Sequence, residues 1–231
     1  MKNDDLKLKT DSLRSTFKLV EKWAIERNLK NQNPRTQFLK IVEEFGELSR
    51  AIQNISNFEK GTYVYKSALL EIADAIGDIL VVLSVTAAQS NQSLFVHDLI
   101  DNKKDVFNTN TSISELLAKI MVNLSTFYES DFESSPSKFS SFVLRHALNL
   151  LNLLAKFYNL DIEHCYNMAY CTINCRTGKI VNGVFVKDKP RAFVYESFNS
   201  FEKLTLAEVI AQIDDKIKTS GEVCKVEWVY E

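Results

Sequence analysis

Apolar residues recur along most of this chain at intervals of three and four, the spacing of one face of an α-helix. Leu13, Phe17, Val20, Trp23 and Ala24 carry that spacing over residues 11–29, with Asp11 placed as an N-cap. A second helix is predicted from about Pro34, a residue suited to a first helical turn, to Ile55. A third, after a loop holding Gly61, runs from about Tyr65 to Gln89. The polar stretch NKKDVFNTNTS separates these from a second pair of amphipathic helices, Thr111 to Tyr128 and Lys138 to Tyr158, joined by ESDFESSPS. Their stripes, Leu116, Leu117, Ile120 and Leu124 on one and Val143, Ala147, Leu150, Leu151 and Leu154 on the other, read as core. A further helix from Asp161 to about Cys175 ends at Arg176-Thr-Gly178-Lys179, where Gly178 is placed as a left-handed C-cap residue. KIVNGVFVK follows, two short β-like runs divided by Asn182-Gly183, the signal of a tight hairpin. Beyond it, LTLAEVIAQIDDKIKT reads as one more helix and CKVEWVY as a closing strand. The expected fold class is therefore all-α: a helical bundle built on a helical hairpin, with a small C-terminal β-hairpin or cap. Residues 1–190 are expected to form the main domain and 191–231 an appendage.

Two segments break the amphipathic pattern. FLKIVEEFGELSRAI and ALLEIADAIGDILVVL are apolar runs that each carry an acidic cluster: Glu43, Glu44 and Glu47 in the first, Glu71, Asp74 and Asp78 in the second. At about 100° per residue, Glu71, Asp74 and Asp78 fall within an arc of roughly 60°, with Val81 and Val82 flanking it one turn on. Several carboxylates in a partly desolvated place are costly unless a cation neutralises them or protons stay on. Glu44 and Glu47 are i, i+3 neighbours on one face, as are Glu71 and Asp74, so two such pairs facing each other across a helical hairpin make a cage of oxygen ligands. Oxygen donors without His or Cys suit Mg²⁺ or Mn²⁺, and Mg²⁺ commonly completes its shell with water and substrate phosphates. The plainer reading leaves Glu43 and Glu47 as solvated helix residues and Asp74 and Asp78 at the edge of a core face. Two clusters, each embedded in an apolar run, favour the metal.

Composition narrows the alternatives. A chain of 231 residues can bury one substantial core, and 45% hydrophobic with 25% charged residues is ordinary for a globular protein. A formal charge of -2 with no long Lys/Arg block leaves no electrostatic footprint for nucleic acid. No apolar signal core opens the chain, and the run near Ile79 to Ala88 is too short to span a bilayer, so a cytoplasmic, membrane-free protein is expected. Cys165, Cys171, Cys175 and Cys224 fit that compartment as free thiols; Cys171 and Cys175 with nearby His164 do not have a zinc-finger spacing. Three scattered histidines, His97, His146 and His164, give no nucleophile arrangement.

Taken together, WAIERNL, then Gln37 and Lys40 leading into KIVEEFGELSRAI, then EIADAIGDILVVL, and the CYNMAY and RTGKIVNGVFVK ending resemble the MazG-like family of all-α nucleoside triphosphate pyrophosphohydrolases, in the form common in phages and prophages. The similarity covers roughly residues 14–188 and leaves the tail outside. The family's ExxE and ExxD motifs are matched by Glu44-x-x-Glu47 and Glu71-x-x-Asp74, separated by residues 48–70. The resemblance implies hydrolysis of a nucleoside triphosphate to monophosphate and pyrophosphate, with Mg²⁺ held by Glu44, Glu47, Glu71 and Asp74. Glu44 or Glu47 would orient the attacking water, and Glu43 and Asp78 would support, as a further ligand or an acceptor behind the ligands. Lys40, Arg176 and Lys179 would meet phosphate oxygens. The alternative for Lys40 is an i, i+4 surface pair with Glu44, and for Arg176 and Lys179 a favourable place at a helix C-terminus. The chain departs from the family's AYNxIKxR pattern at Cys171 and Asn174. Two other readings stand beside the enzyme: an inactive helical protein that senses a nucleotide or metal, and an α-helical oligomerisation protein with decorative acids. Uncovered apolar faces on an isolated hairpin predict a homodimer or larger homo-oligomer.

Overall fold

The protein is described by a computed structural model covering residues 3–90, 111–129, 138–174, 178–181 and 184–187, with 3–12, 138–141 and 178–187 described in backbone only. It is mostly helical. The helices are α1 (Asn3–Glu26), α2 (Gln37–Ile55), α3 (Tyr63–Gln89), α4 (Ile113–Glu129), α5 (Lys138–Phe157) and α6 (Ile162–Asn174). Strands β1 (Gly178–Val181) and β2 (Val184–Lys187) pair antiparallel, with Val181 opposite Val184, so the pairing leaves two residues for the turn. The Asn182-Gly183 turn itself, and the expected appendage 191–231, lie outside the described residues.

Helix starts follow side-chain caps. Asn33 Oδ1 accepts from the Arg35 amide at 2.9 Å and opens a 3₁₀ turn over Pro34–Thr36 that leads into α2. Thr62, Ser112 and Asp161 cap α3, α4 and α6, accepting from the amides of Tyr65, Glu115 and Glu163 at 3.3, 3.2 and 3.0 Å. Asp11 does not cap: α1 begins at Asn3, and the preceding DDLKLKT contains no residue that breaks a helix. Gly178 is not a cap either. It opens β1 opposite Lys187, four residues past the last residue of α6.

Two helices stop by the same device. After α1, Asn28 takes φ 54°, the Leu29 amide bonds the Ala24 carbonyl at 2.8 Å and the Asn28 amide bonds Ile25 at 2.9 Å. After α5, Asn159 takes φ 59°, with Leu160 bonded to Ala155 at 2.9 Å and Asn159 to Lys156 at 3.0 Å. Both are Schellman motifs with asparagine in the left-handed position and a leucine folded back to the core.

α3 is the axis of the fold. From Ile72 to Ala88 all residues but Asp74 are buried, which marks a helix surrounded on every side. α2 forms a hairpin with it, α1 and α6 pack on other sides, and the α4–α5 pair lies against α2, α3 and α6. Gly77 permits a close crossing of α3 and α6: a Cβ there would stand 2.2 Å from the Cys165 carbonyl oxygen on α6. Two buried hydroxyls on α3 are matched across the crossings. Ser84 Oγ shares a 2.5 Å hydrogen bond with the Tyr166 hydroxyl of α6, and Thr86 Oγ1 a 2.6 Å bond with that of Tyr128 on α4. Tyr128 also leans its ring on Phe38 of α2, centroids 5.4 Å apart, so the second helical pair covers the first hairpin within one chain. The Trp23 indole N–H donates to the Ile173 carbonyl at 3.0 Å, and Thr16 Oγ1 to Asn167, joining α1 to α6.

Candidate functional site

α2 has a core face of Ile41, Leu48, Ile52 and Ile55. Glu44 falls beside that face, with Glu47 and then Glu43 progressively farther round toward solvent. Their exposure follows: Glu44 is half-buried, Glu47 and Glu43 exposed. On α3 the gradient runs along the axis. Glu71 is exposed, Asp74 half-buried and Asp78, at 9% exposure, buried. The order is set by depth in the bundle, because α3 enters the fully enclosed part of the core at about Ile72.

The two arms meet electrostatically at Glu44. Its carboxyl is pushed up from an ordinary 4.5 to about 8, chiefly by burial, then by the charges of Asp78 and Glu47; Lys40 opposes the shift and Glu43 adds a little. Among the acids that act on Glu44, Asp78 is therefore first, and it comes from the opposite helix. Asp74 faces α6 closely enough to act on the Cys165 thiol, which burial, then Asp161, then Asp74 push up to about 12. Such a thiol is no nucleophile at neutral pH. Cys165 and Cys171 are both buried, and neither forms a disulfide among the described residues.

Lys40 forms an ion pair with Glu43 rather than the i, i+4 pair with Glu44. Its ammonium sits at the mouth of the acidic cluster, 39% exposed. Arg176 lies outside the described residues, and Lys179 is described only as a β1 residue opposite Val186. His146 stacks on Phe142, ring centroids 6.3 Å apart, and takes no part in the cluster.

Among the described residues, no group of three or more His, Cys, Asp or Glu side chains is gathered in a way that could hold a metal ion. The donor set remains wholly carboxylate, the chemistry of Mg²⁺ and Mn²⁺. A carboxyl raised by its acidic neighbours is also the signature of negative charge that a cation would offset. Glu43 and Glu47, being exposed, are free to change rotamer, whereas Asp78 is fixed by its surroundings.

No protein-family model matches the chain, and no solved structure matches it. The chain is similar to an uncharacterized 18.2 kDa protein from the rep-hol intergenic region of Haemophilus phage HP1, with 35% identity over 80 residues. That stretch is 34% of this chain and 42% of the phage protein, so the chain spans less than half of its relative's length.

Sequence reasoning gave Asp78 a supporting place. Its burial was legible in the sequence: of the six acids it lies deepest in an apolar run, between Ile76-Gly77 and Ile79-Leu80-Val81-Val82.

Proposed function

We propose that this protein is a Mg²⁺-dependent nucleoside triphosphate pyrophosphohydrolase, converting a (deoxy)nucleoside triphosphate and water to the monophosphate and pyrophosphate. One observation carries the reading: acids from both arms of the α2–α3 hairpin act on one half-buried carboxyl, that of Glu44. The resemblance to MazG-like enzymes over roughly residues 14–188 supports it, and the likeness to a phage protein is in keeping with the phage form of that family. Glu44, Glu47, Glu71 and Asp74 would hold the ion, with Glu43 and Asp78 in support. Bound there, Mg²⁺ supplies charge neutralisation for the phosphate chain and acidifies a coordinated water. Glu44 and Glu47 orient that water, and Lys40, released from Glu43, meets a phosphate oxygen. Arg176 and Lys179 are assigned to the same task from the sequence alone. No described helix is long and apolar enough to cross a membrane, and the proposed place of action is the cytoplasm of a bacterium or a phage-infected host.

The test is release of pyrophosphate and monophosphate from a panel of ribo- and deoxynucleoside triphosphates, with Mg²⁺ and with chelator. Glu44→Gln and Glu71→Gln should abolish release, and Asp78→Asn should reduce it less. A second reading, an inactive nucleotide or metal sensor, draws on the departures from the family's pattern at Cys171 and Asn174 and on the additional tail. It predicts no turnover on any nucleotide while Mg²⁺ or a nucleotide still raises the melting temperature, since a ligand of the native state alone must stabilise it.

A further inference from the structure

The outward face of α5 carries an apolar line that the described residues leave open at its two ends. Phe142, His146, Asn149, Leu153 and Phe157 fall within an arc of roughly 80° on that helix. Phe142 is 66% exposed and Phe157 61% exposed. They stand about 22 Å apart along the axis. Between them His146, Asn149 and Leu153 are half-buried, and the His146 ring lies parallel to that of Phe142, extending its flat surface. Buried Val143 and Leu150 close one side of the line, and Arg145 and Lys156 border the other. α5 has bases along its length and no acid. A hydrophobic exposed singly is ordinary, but two phenylalanines joined by a half-buried line on one face mark a contact surface.

We propose that the occupant is residues 204–219 of the same chain, LTLAEVIAQIDDKIKT, docked as a helix parallel to α5. That segment lies outside the described residues, and its sequence carries the complement of the line. Leu206, Ile210, Ile213 and Ile217 follow one another at steps of four, three and four. Phe142, His146, Asn149 and Leu153 follow the same steps, so two helices can interlock position by position. The apolar run 94–100, also outside the described residues, gives no such line, because the step after Leu99 or Ile100 falls on Asn102 or Lys103. Charge selects the direction. Asp214 flanks the apolar line of 204–219 on one side and Lys216 on the other. A parallel helix brings Asp214 to the basic border of α5, whereas an antiparallel one brings Lys216 there. With Leu206 opposite Phe142, Asp214 stands beside Arg145, whose guanidinium has donors for more than one acceptor. Residues 188–203 span up to about 50 Å when extended, against a radius of gyration of about 17 Å for a domain of this length, so the segment after β2 can reach either end of α5. Tethered in this way, it acts at an effective concentration on the order of millimolar. No acid of the α2–α3 hairpin takes part and the assay contains no nucleotide, so the docking and the hydrolase reading stand or fall separately.

Benzoylphenylalanine in place of Phe142 of the full chain, irradiated in a mixture of ¹⁵N-labelled and unlabelled protein, tests it. Cross-links should join position 142 to residues within 204–219 of the same chain, with no mixed-isotope product. Ile210→Asp and Ile213→Asp should each lower the yield roughly tenfold, the scale of a charge placed in an apolar contact. The same two variants should raise hydrogen–deuterium exchange of the α5 amides severalfold and leave the α3 amides as in wild type, which shows the bundle intact. Asp214→Lys should lower the yield roughly threefold, as for an exposed ion pair, and Lys216→Asp should not lower it. A cross-link to 91–110 or to a second copy, no cross-link at all, or α5 exchange indifferent to both aspartate variants would each overturn the proposal. So would a rise in exchange that spreads to α3, which would place 204–219 elsewhere in the core. A greater loss from Lys216→Asp than from Asp214→Lys would overturn the parallel direction.

Discussion

Gly77→Ala adds one methyl group to a crowded crossing of α3 and α6, and the structure gives the terms of its effect. The new Cβ would lie 2.2 Å from the Cys165 carbonyl oxygen, 2.9 Å from the Cys165 carbonyl carbon and 2.8 Å from the Ala169 Cβ. Two of these three atoms are backbone, which cannot swing aside as a side chain can, so α3 and α6 must part. Overpacking a tight core costs about 1–3 kcal/mol, and an obstruction by backbone belongs at the upper end. Against this, alanine improves helix propensity by about 1 kcal/mol. The net expectation is a loss of about 2 kcal/mol, which for a chain of this size lowers Tm by roughly 4–8 °C. Urea unfolding followed by circular dichroism measures the free energy directly. Ala169→Gly in the Gly77→Ala background removes the methyl–methyl clash but leaves the carbonyl contact, so it should recover less than half of the loss. If Gly77→Ala is as stable as wild type, α6 does not press on α3 as described and the placement of Asp74 against α6 falls with it.

Gly46→Ala is the same substitution with the opposite sign: with nothing near its Cβ it should stabilise dilute, unassociated protein by up to about 1 kcal/mol, read from urea midpoints. Glu44 makes stability depend on pH. Its folded carboxyl titrates near 8 against 4.5 when unfolded, so the folded state holds more protons between those values and stability falls as pH rises through the window, levelling above it. Because the side chain is part-exposed, screening reduces the effect to about 2 kcal/mol; Glu44→Gln should flatten the profile, and an unchanged slope would refute the assignment. Ser84→Ala should cost about 1–3 kcal/mol by orphaning the buried Tyr166 hydroxyl, Tyr166→Phe less on this account because Ser84 keeps its bond to the Leu80 carbonyl, and the double variant less than their sum, measured as a thermodynamic cycle. Asn159→Gly should be neutral or stabilising and Asn159→Val should lose about 1–2 kcal/mol or more at its left-handed φ, by thermal melts.

What the sequence disclosed and what it hid divide along a physical line. Periodicity placed α3 to α6 within about two residues and α2 within three, its expected first turn being the 3₁₀ turn Pro34–Thr36, because each has one coherent apolar stripe or, for α3, an apolar run too long to be a strand. Asn182-Gly183 located the break between β1 and β2 for a similarly local reason. Capping was read less well. Asp11 looked like a start only because the stripe begins at Leu13, while the helix itself continues upstream through residues that pattern cannot mark. Asn28 and Asn159 end helices through a positive φ that asparagine tolerates, and the Asn-Leu step in ERNL and FYNL was the available sign. The acids were all visible, but their ranking was not. Asp78 is buried and Glu71 exposed because of where α3 becomes enclosed, with α6, an element distant in sequence, packed on it. Nor could spacing alone show that Tyr128 and Tyr166, each at a helical core position, would spend their hydroxyls on Thr86 and Ser84 of the same central helix.

Those two hydroxyl pairs bear on the acidic cluster as well as on the fold. A helix enclosed on all sides gains most from being wholly apolar, yet α3 carries Asp78, Ser84 and Thr86 among its buried residues. Ser84 and Thr86 bond back to the carbonyls of Leu80 and Val82 at 2.7 and 2.9 Å and outward to tyrosines of α6 and α4, so their polarity is matched and fixes how those helices are seated. Asp78 is different in kind. It lies next to Gly77, where α6 comes close, and acts on Glu44 of α2, raising that carboxyl rather than relieving it. Hydrogen-bonded seating of α4 and α6 therefore holds a buried acid in a position that disfavours its neighbour's charge. That arrangement makes the folded protein less stable as pH rises through the titration of Glu44, because the charge that then forms is half-buried and faces a second acid.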